Sequence, residues 1–484
     1  MPKPANRSPK AIRPNALPIA TTKKNARLGP RLEPSTSERR MALTMASRER
    51  DELARNWELA LTMEIRPAID CVRLDRAFRH VVALHPRLRA TYEIRKGDVT
   101  VRLLPVDAFA LDEQDTSSLS QQRFMEILQE AADRPWTPAT GPLVTLTVFR
   151  RPRDRMVVLL RMCHLVVDGW SIELLLRDMI MFYLGVPGVA AKAVDFDQFV
   201  QWEKRFEASH EGRAQREFWR RKLARLGPRL KLPYDRPPVS PLIRKSANSS
   251  FKISKSDMAR LRTLSRRTGA SVYGFMLAAY QILLHSLSGE TDITALTTTA
   301  RRSNPAFAEM VGLVANMVAL RGSLNPRSTF QNHVSRANET VIEAMSHQEC
   351  DISLVSRDLA EGALDTSSAF AGADSAFDQV GLYMMTANQA GALDAALKLR
   401  YAPNTKQRVG PFELRGLPIE RSDCTRELTL FFNEIGGELL AFFSYNADLF
   451  DPATIEEFVH KFLRIVDLGL DDPGRSIESI LQAL

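Results

Sequence analysis

The chain has 484 residues, 44% hydrophobic and 25% charged, which is ordinary for a globular protein and long enough for two or three domains. No stretch offers the roughly 18 uninterrupted apolar residues of a membrane helix, and no apolar run follows the basic N-terminal residues as in a secretory signal. The net charge of +9 hints at nucleic acid, but residues 1–40 hold ten basic residues against Glu33 and Glu38, so the remainder is nearly neutral and neither nucleic acid nor membrane is expected as a partner.

Residues 1–40 are rich in Pro, Ala and Ser and lack an apolar period, which predicts a disordered basic tail. Such a tail is either a plain solvated leader or an arm that steers toward an acidic partner. A capped helix is predicted over "LTMASRERDELARN", with Thr44 as N-cap. "WELALTMEI" alternates as a strand does, "RLDRAFRHVVALHPRLRA" has helical spacing up to Pro86, and "TYEIRKGDVTVRLLP" reads as a hairpin. The helix "SQQRFMEILQEAADRPW" precedes two strands in "GPLVTLTVFRRPRDRMVVLLRMC", and "SIELLLRDMIMFYLG" is a helix closed by Gly185. Residues 41–227 form one α+β unit on this reading, and the proline-bearing stretch 228–249 is a linker. Residues 250–484 form a second α+β unit of strands, helices and the hairpin "ELTLFFNEIGGELLAFFSYN". The order of its elements loosely echoes the first unit. Cys71, Cys163, Cys350 and Cys424 lack the spacing of a disulfide framework or zinc site, and a reducing cytoplasm is expected.

The candidate site is "MCHLVVDGWS", Met162–Ser171. Its β-branched, apolar lead-in predicts a strand ending near His164, with Asp168 in a tight loop and Ser171 as N-cap of the next helix. Imidazole titrates near neutrality, and helix N-termini offer free N–H groups to a developing oxyanion. The plain alternative is a buried histidine bonded to backbone, with Asp168 capping the helix. One His and one Asp are too few for a metal site. No nucleophile elbow, phosphate loop or dinucleotide fingerprint is present.

The stretch resembles the M-H-H-x-x-x-D-G-W-S signature of nonribosomal peptide synthetase condensation domains, relatives of chloramphenicol acetyltransferase. Further blocks follow in that family's order. "LHPRLRATYE" is similar to R-H-E-x-L-R-T-x-F, and "DFDQFVQWEKR" to Y-x-D-Y-A-x-W. "VGLVANMVALR" is similar to V-G-x-F-V-N-T-x-x-x-R, and "HQECDISLV" to H-Q-D-x-P-F-E-x-L. "SYNADLFDPATIE" matches a late strand-and-helix block. The departures are informative. Cys163 replaces the first histidine, "LTMASRERDELARN" lacks the usual Gln and aromatic pair, and "FAGADSAFDQV" barely keeps R-D-x-S-R-N-P. These mark a divergent member.

The resemblance implies two chloramphenicol acetyltransferase-like α/β sandwich lobes in a V-shaped pseudodimer, with a tunnel at their interface. His164 is the residue it marks as catalytic, as general base or as an electrostatic positioning group. Asp168 would pair with Arg302 and shape the loop with Gly169, whose lack of a side chain lets backbone pass close to a thioester. Cys163, Trp170, Ser171 and Asn316 are the positions expected to line the tunnel. Cys163 and Trp170 also read as plain packing. No bound cofactor is expected. The donor would arrive on the phosphopantetheine arm of an acyl or peptidyl carrier protein and pass to a small-molecule or carrier-bound amine or hydroxyl. With no adenylation signature and no L-G-G-x-S carrier site in the sequence, a free-standing, monomeric enzyme of chain release or tailoring in polyketide or peptide biosynthesis is expected. The competing readings are acyl-CoA-dependent transfer, epimerisation on the carrier, and a non-catalytic docking module.

Overall fold

The computed structural model describes residues 29–47, 58–186, 195–226, 229–238, 245–355, 378–384, 406–419 and 426–484. In chain order the first half gives α1 (Thr36–Ser47), β1 (Glu58–Arg66), α2 (Cys71–Leu84), β2 (Ala90–Arg95), β3 (Asp98–Leu103), β4 (Leu111–Asp115), α3 (Gln121–Ala132), β5 (Val144–Arg151), β6 (Arg155–Cys163), α4 (Gly169–Leu184), α5 (Phe196–Ala208) and α6 (His210–Leu223). The second half gives β7 (Ser246–Ile253), α7 (Lys255–Thr268), α8 (Val272–Ser288), β8 (Asp292–Thr299), β9 (Asn316–Ser323), α9 (Phe330–Ser346), β10 (Val380–Met384), β11 (Lys406–Val409), β12 (Phe412–Gly416), β13 (Leu428–Ile435), β14 (Glu438–Asn446), α10 (Pro452–Asp471) and α11 (Ile477–Gln482). The protein is therefore α+β, with one mixed six-stranded sheet in each of two lobes.

The first sheet runs β11-β12-β1-β6-β5-β4, antiparallel except for the β4·β5 pair. β6 lies in its centre, with Leu160 opposite Leu61 of β1 and Leu146 of β5. Both of its faces are covered. Met156, Val158, Leu160 and Met162 join the core that holds Phe78 and Val81 of α2 and Leu174 and Leu175 of α4. Val157 and Leu159 meet Phe124 and Leu128 of α3. Burial on both faces explains why "RMVVLLRMC" is a nearly continuous apolar run and not an alternating one.

The second sheet runs β7-β14-β13-β10-β8-β9, with β10 parallel to both neighbours. Behind it α8 is buried without a break from Gly274 to Leu284, the mark of a central core helix. Among the described residues no single helix is long and apolar enough to cross a membrane. α7 and α8 together pass by composition but meet at 101°.

Several expectations change. The first helix starts at Thr36, not after Thr44. Thr44 lies inside it and its hydroxyl donates to the Arg40 carbonyl. The expected helix ran on through residues 48–56, which lie outside the described residues. Residues 29–40, expected as disordered tail, are ordered. Leu32 pairs with Val101, and Ser35, Ser37 and Glu38 are buried. Local polarity concealed this, because these groups are satisfied by distant partners. Of the basic segment, residues 1–28 fall outside the described part.

The boundary near residues 228–249 is also crossed in both directions. Trp219 and Leu223 of α6 belong to the second core. Conversely β12 pairs with β1, Met63 opposite Gly416, so the second half adds two strands to the first sheet. Val311, Leu313 and Leu414 likewise enter the first core. A small aromatic cluster of Phe196, Phe199 and Phe307 with Met310 and Val314 fills the seam.

Candidate active site

The turn after β6 carries the site. Cys163 closes the strand, its N–H donating to the Leu143 carbonyl at 2.8 Å. Leu165, Val166 and Val167 drop into the first core and are fully buried. Of residues 163–168 only His164 is not buried. Three apolar side chains thus anchor the turn, and His164 between them and Cys163 stays half-buried. His85 shows the plain alternative in the same lobe, since it is buried with Nε2 2.9 Å from Asp178.

Cys163 is fully buried, and burial pushes its thiol up to about 12. It is neutral packing within the first core, not part of an open wall. Ser171, the expected N-cap, is the third residue of α4. Asp168 caps the helix and accepts from the Ser171 N–H at 2.8 Å. The helix starts earlier because Gly169 and Trp170 already adopt its first turn. Gly169 is exposed, and a Cβ there would meet nothing within 4 Å. Among the described residues, none beyond its chain neighbours crowds the space a side chain at 169 would fill.

Asp168 does more than cap. Its Oδ2 accepts from Arg302 Nη1 at 2.9 Å and from the N–H groups of Val314 and Ala315 at 3.0 and 2.9 Å. Its Oδ1 accepts from the Ser171 hydroxyl at 2.7 Å and Arg302 Nη2 at 3.2 Å. Burial works against this charge, but the guanidinium of Arg302 and the hydrogen bonds outweigh it and hold the carboxyl below the usual carboxylate range. Arg302 also donates to the carbonyls of Ala300 and Met310. The pair thus bolts the His164 turn of the first lobe to the segment after β8 and to residues 310–315 of the second.

Gly312 completes this joint. Its N–H donates to the Ser171 hydroxyl, and its carbonyl accepts from it. A Cβ at Gly312 would lie 2.2 Å from the Phe196 ring. Gly312→Ala is therefore expected to destabilise the protein by about 1–3 kcal/mol through overpacking, read as a lower urea midpoint.

The other expected positions fall around this joint. Trp170 is half-buried, and its indole N–H donates to the Ala308 carbonyl at 2.9 Å, another tie across the seam. Asn316 is buried, and its Nδ2 donates to the carbonyls of Gln348 and Cys350. That corrects the expectation of a tunnel-lining amide. Its donors are consumed in holding the 348–350 segment to β9.

Two buried clusters escaped the sequence reading. Glu38, fully buried, receives Arg87 Nε at 2.7 Å and Nη2 at 2.5 Å, with Tyr92 Oη at 2.6 Å. The second gathers at Arg301, whose Nη1 lies 2.5 Å from Glu203 and whose Nη2 donates to the Glu349 carbonyl. Thr36 N–H donates to Glu203 and the Ser37 hydroxyl to Asp351. The start of α1 is therefore a strap between the lobes. Neither cluster had a local sequence signal, because Glu38 lies in a polar, basic segment and its partners come from elsewhere in the chain.

The arrangement defines a class: a two-lobed α+β protein that presents one histidine on a strand-to-helix turn pinned across the seam. This chain belongs to the condensation-domain family, which matches residues 47–482 under the description "Condensation domain". The family is generally one of acyltransferases related to secondary-metabolite synthesis. A linear gramicidin synthase protein of Brevibacillus parabrevis is 27% identical over 472 residues, covering 93% of this chain but 9% of that protein. This chain thus spans only a small part of the length of such a synthase. The X-domain from teicoplanin biosynthesis superposes with a TM-score of 0.77 at 22% identity, covering 92% of this chain and 96% of that one. It has also been solved in complex with OxyB (TM-score 0.76, 20% identity, 93% and 95% covered). SgcC5 of Streptomyces globisporus gives a TM-score of 0.67 at 22% identity, covering 87% and 94%. At these identities the structural likeness is one of fold.

Proposed function

We propose that this chain transfers an acyl group from a carrier-protein phosphopantetheine thioester to an amine or hydroxyl, with His164 as the catalytic residue. The observation that carries this is the turn itself, in which His164 is the one residue from Cys163 to Asp168 that is only half-buried, while Asp168 locks the turn to the other lobe. In the step, the acceptor N–H or O–H attacks the thioester carbonyl while His164 takes or orients its proton. The carbon–sulfur bond breaks, and the phosphopantetheine sulfur leaves as thiol after receiving that proton. The open space beside Gly169 fits a carbonyl brought against the start of α4, where N–H groups point outward. Arg302, Asp168 and Gly312 hold the turn and do not touch the reacting atoms.

Intact-protein mass spectrometry of an acyl-loaded carrier protein, with and without amine and alcohol acceptors, tests this. Acceptor-dependent loss of the acyl group from the carrier is the expected result. Turnover of acyl-CoA alone, with the loaded carrier untouched, would reassign the donor. The related X-domain solved with OxyB motivates a second reading, a docking module without chemistry. That reading predicts partner binding indifferent to His164→Ala and no product with any acceptor.

A further inference from the structure

We infer that Tyr92 is a positioning residue for His164, resting on the reading of His164 as the catalytic group. The turn from His164 to Asp168 is gripped at two places. Asp168 holds its far end to the second lobe. Near His164, the Tyr92 hydroxyl lies 3.1 Å from the carbonyl oxygen of Leu165. The same hydroxyl lies 2.6 Å from Glu38 Oε1, so its single proton sits between two acceptors. Tyr92 is 1% exposed, so its hydroxyl is shielded from bulk solvent.

Glu38 is itself immobile. Arg87 binds both its oxygens, and the Ser35 N–H donates to Oε2 at 2.8 Å. Its neighbours Thr36 and Ser37 bind Glu203 and Asp351. The strap at the start of α1 therefore reaches the peptide next to His164 through one phenolic oxygen. Without it, the buried Leu165 carbonyl loses a donor, and the peptide is free to rotate with the imidazole beside it.

The test compares full-length wild type with Tyr92→Phe and Glu38→Gln. The signals of His164 are followed by NMR with labelled histidine, assigned by their loss in His164→Ala. kcat and KM for acyl transfer and the melting temperature are measured alongside. Tyr92→Phe is expected to move the His164 signal and its titration midpoint. It is expected to lower kcat roughly ten- to hundredfold, the scale of a small misplacement, with KM and melting temperature nearly unchanged. Glu38→Gln weakens the stronger competitor for the Tyr92 proton and should move the same signal in the opposite direction. An unmoved His164 signal in both variants overturns the inference, including the case in which kcat falls together with the melting temperature. Activity that survives His164→Ala would defeat the catalytic reading instead, and the His164 signal would still decide the positioning role.

Discussion

His164→Ala is expected to lower acyl transfer from a loaded carrier by about 10²–10⁴-fold, the range a positioned proton acceptor supplies. The fold should survive, because the side chain is the one in its turn that the core does not bury. The anchors, Leu165, Val166 and Val167, remain in place. The measurement is single-turnover deacylation of the carrier in the presence of acceptor, with circular dichroism and melting temperature as folding controls. His164→Gln separates the two roles open to the imidazole. Glutamine can hydrogen-bond an incoming nucleophile but cannot take its proton at neutral pH. Recovery of activity by glutamine would favour orientation of the acceptor, and loss equal to that of alanine would favour general base catalysis. Unchanged turnover in both variants would remove His164 from the reaction.

Asp168→Ala should be the most destabilising single change at the site, by about 3–5 kcal/mol, because it leaves the buried Arg302 guanidinium without its counter-charge. It also orphans the Ala315 N–H and leaves the Val314 N–H with the Gly312 carbonyl alone. Asp168→Asn is no conservative substitute. Every described group touching this carboxylate donates to it, so an amide must turn its own NH₂ toward another donor. Arg302→Lys fails for a related reason, since one ammonium cannot span Asp168, Ser171 and the Met310 carbonyl as the planar fork does. The pH dependence has a definite sign. The folded-state carboxyl is held below its ordinary value, so its contribution is complete above about pH 4. It fades as the pH falls below that through the lower folded-state value. Urea unfolding should show the gap between wild type and Asp168→Ala narrowing as the pH is lowered. A gap that widens toward acid would mean that the pair does not stabilise the fold.

Much of the fold was legible because periodicity and punctuation agreed with the tertiary structure. α8 was readable from Ser271 and Gly289 at its ends, and the β13–β14 hairpin from Gly436-Gly437. What escaped reading depended on long-range partners. Glu38 looks like solvent-facing charge in a basic segment until Arg87 and Tyr92 arrive from elsewhere in the chain. β11 and β12 are short, and their place beside β1 depends on pairing between distant parts of the chain, Met63 with Gly416, with no local signal. "FAGADSAFDQV" lies almost wholly outside the described residues. At the site, the local stretch alone fits a buried, backbone-bonded histidine, and only the ordered family blocks around it single out His164. The family blocks named Arg302. Asn316 was misjudged because a motif position does not reveal which way its amide points, and here two carbonyls claim it.

The strands that β11 and β12 lend to the first sheet make the two halves a clasped pair and not beads on a string. Cutting the chain in the apparent linker would leave Met63–Arg66 of β1 as a raw edge, its peptide groups open to any passing strand. The second half would keep its own six-stranded sheet but lose Trp219 and Leu223 of α6 from its core. The second needs α6 to fill its core, while the first is finished only when β11 and β12 have been made and folded back onto it.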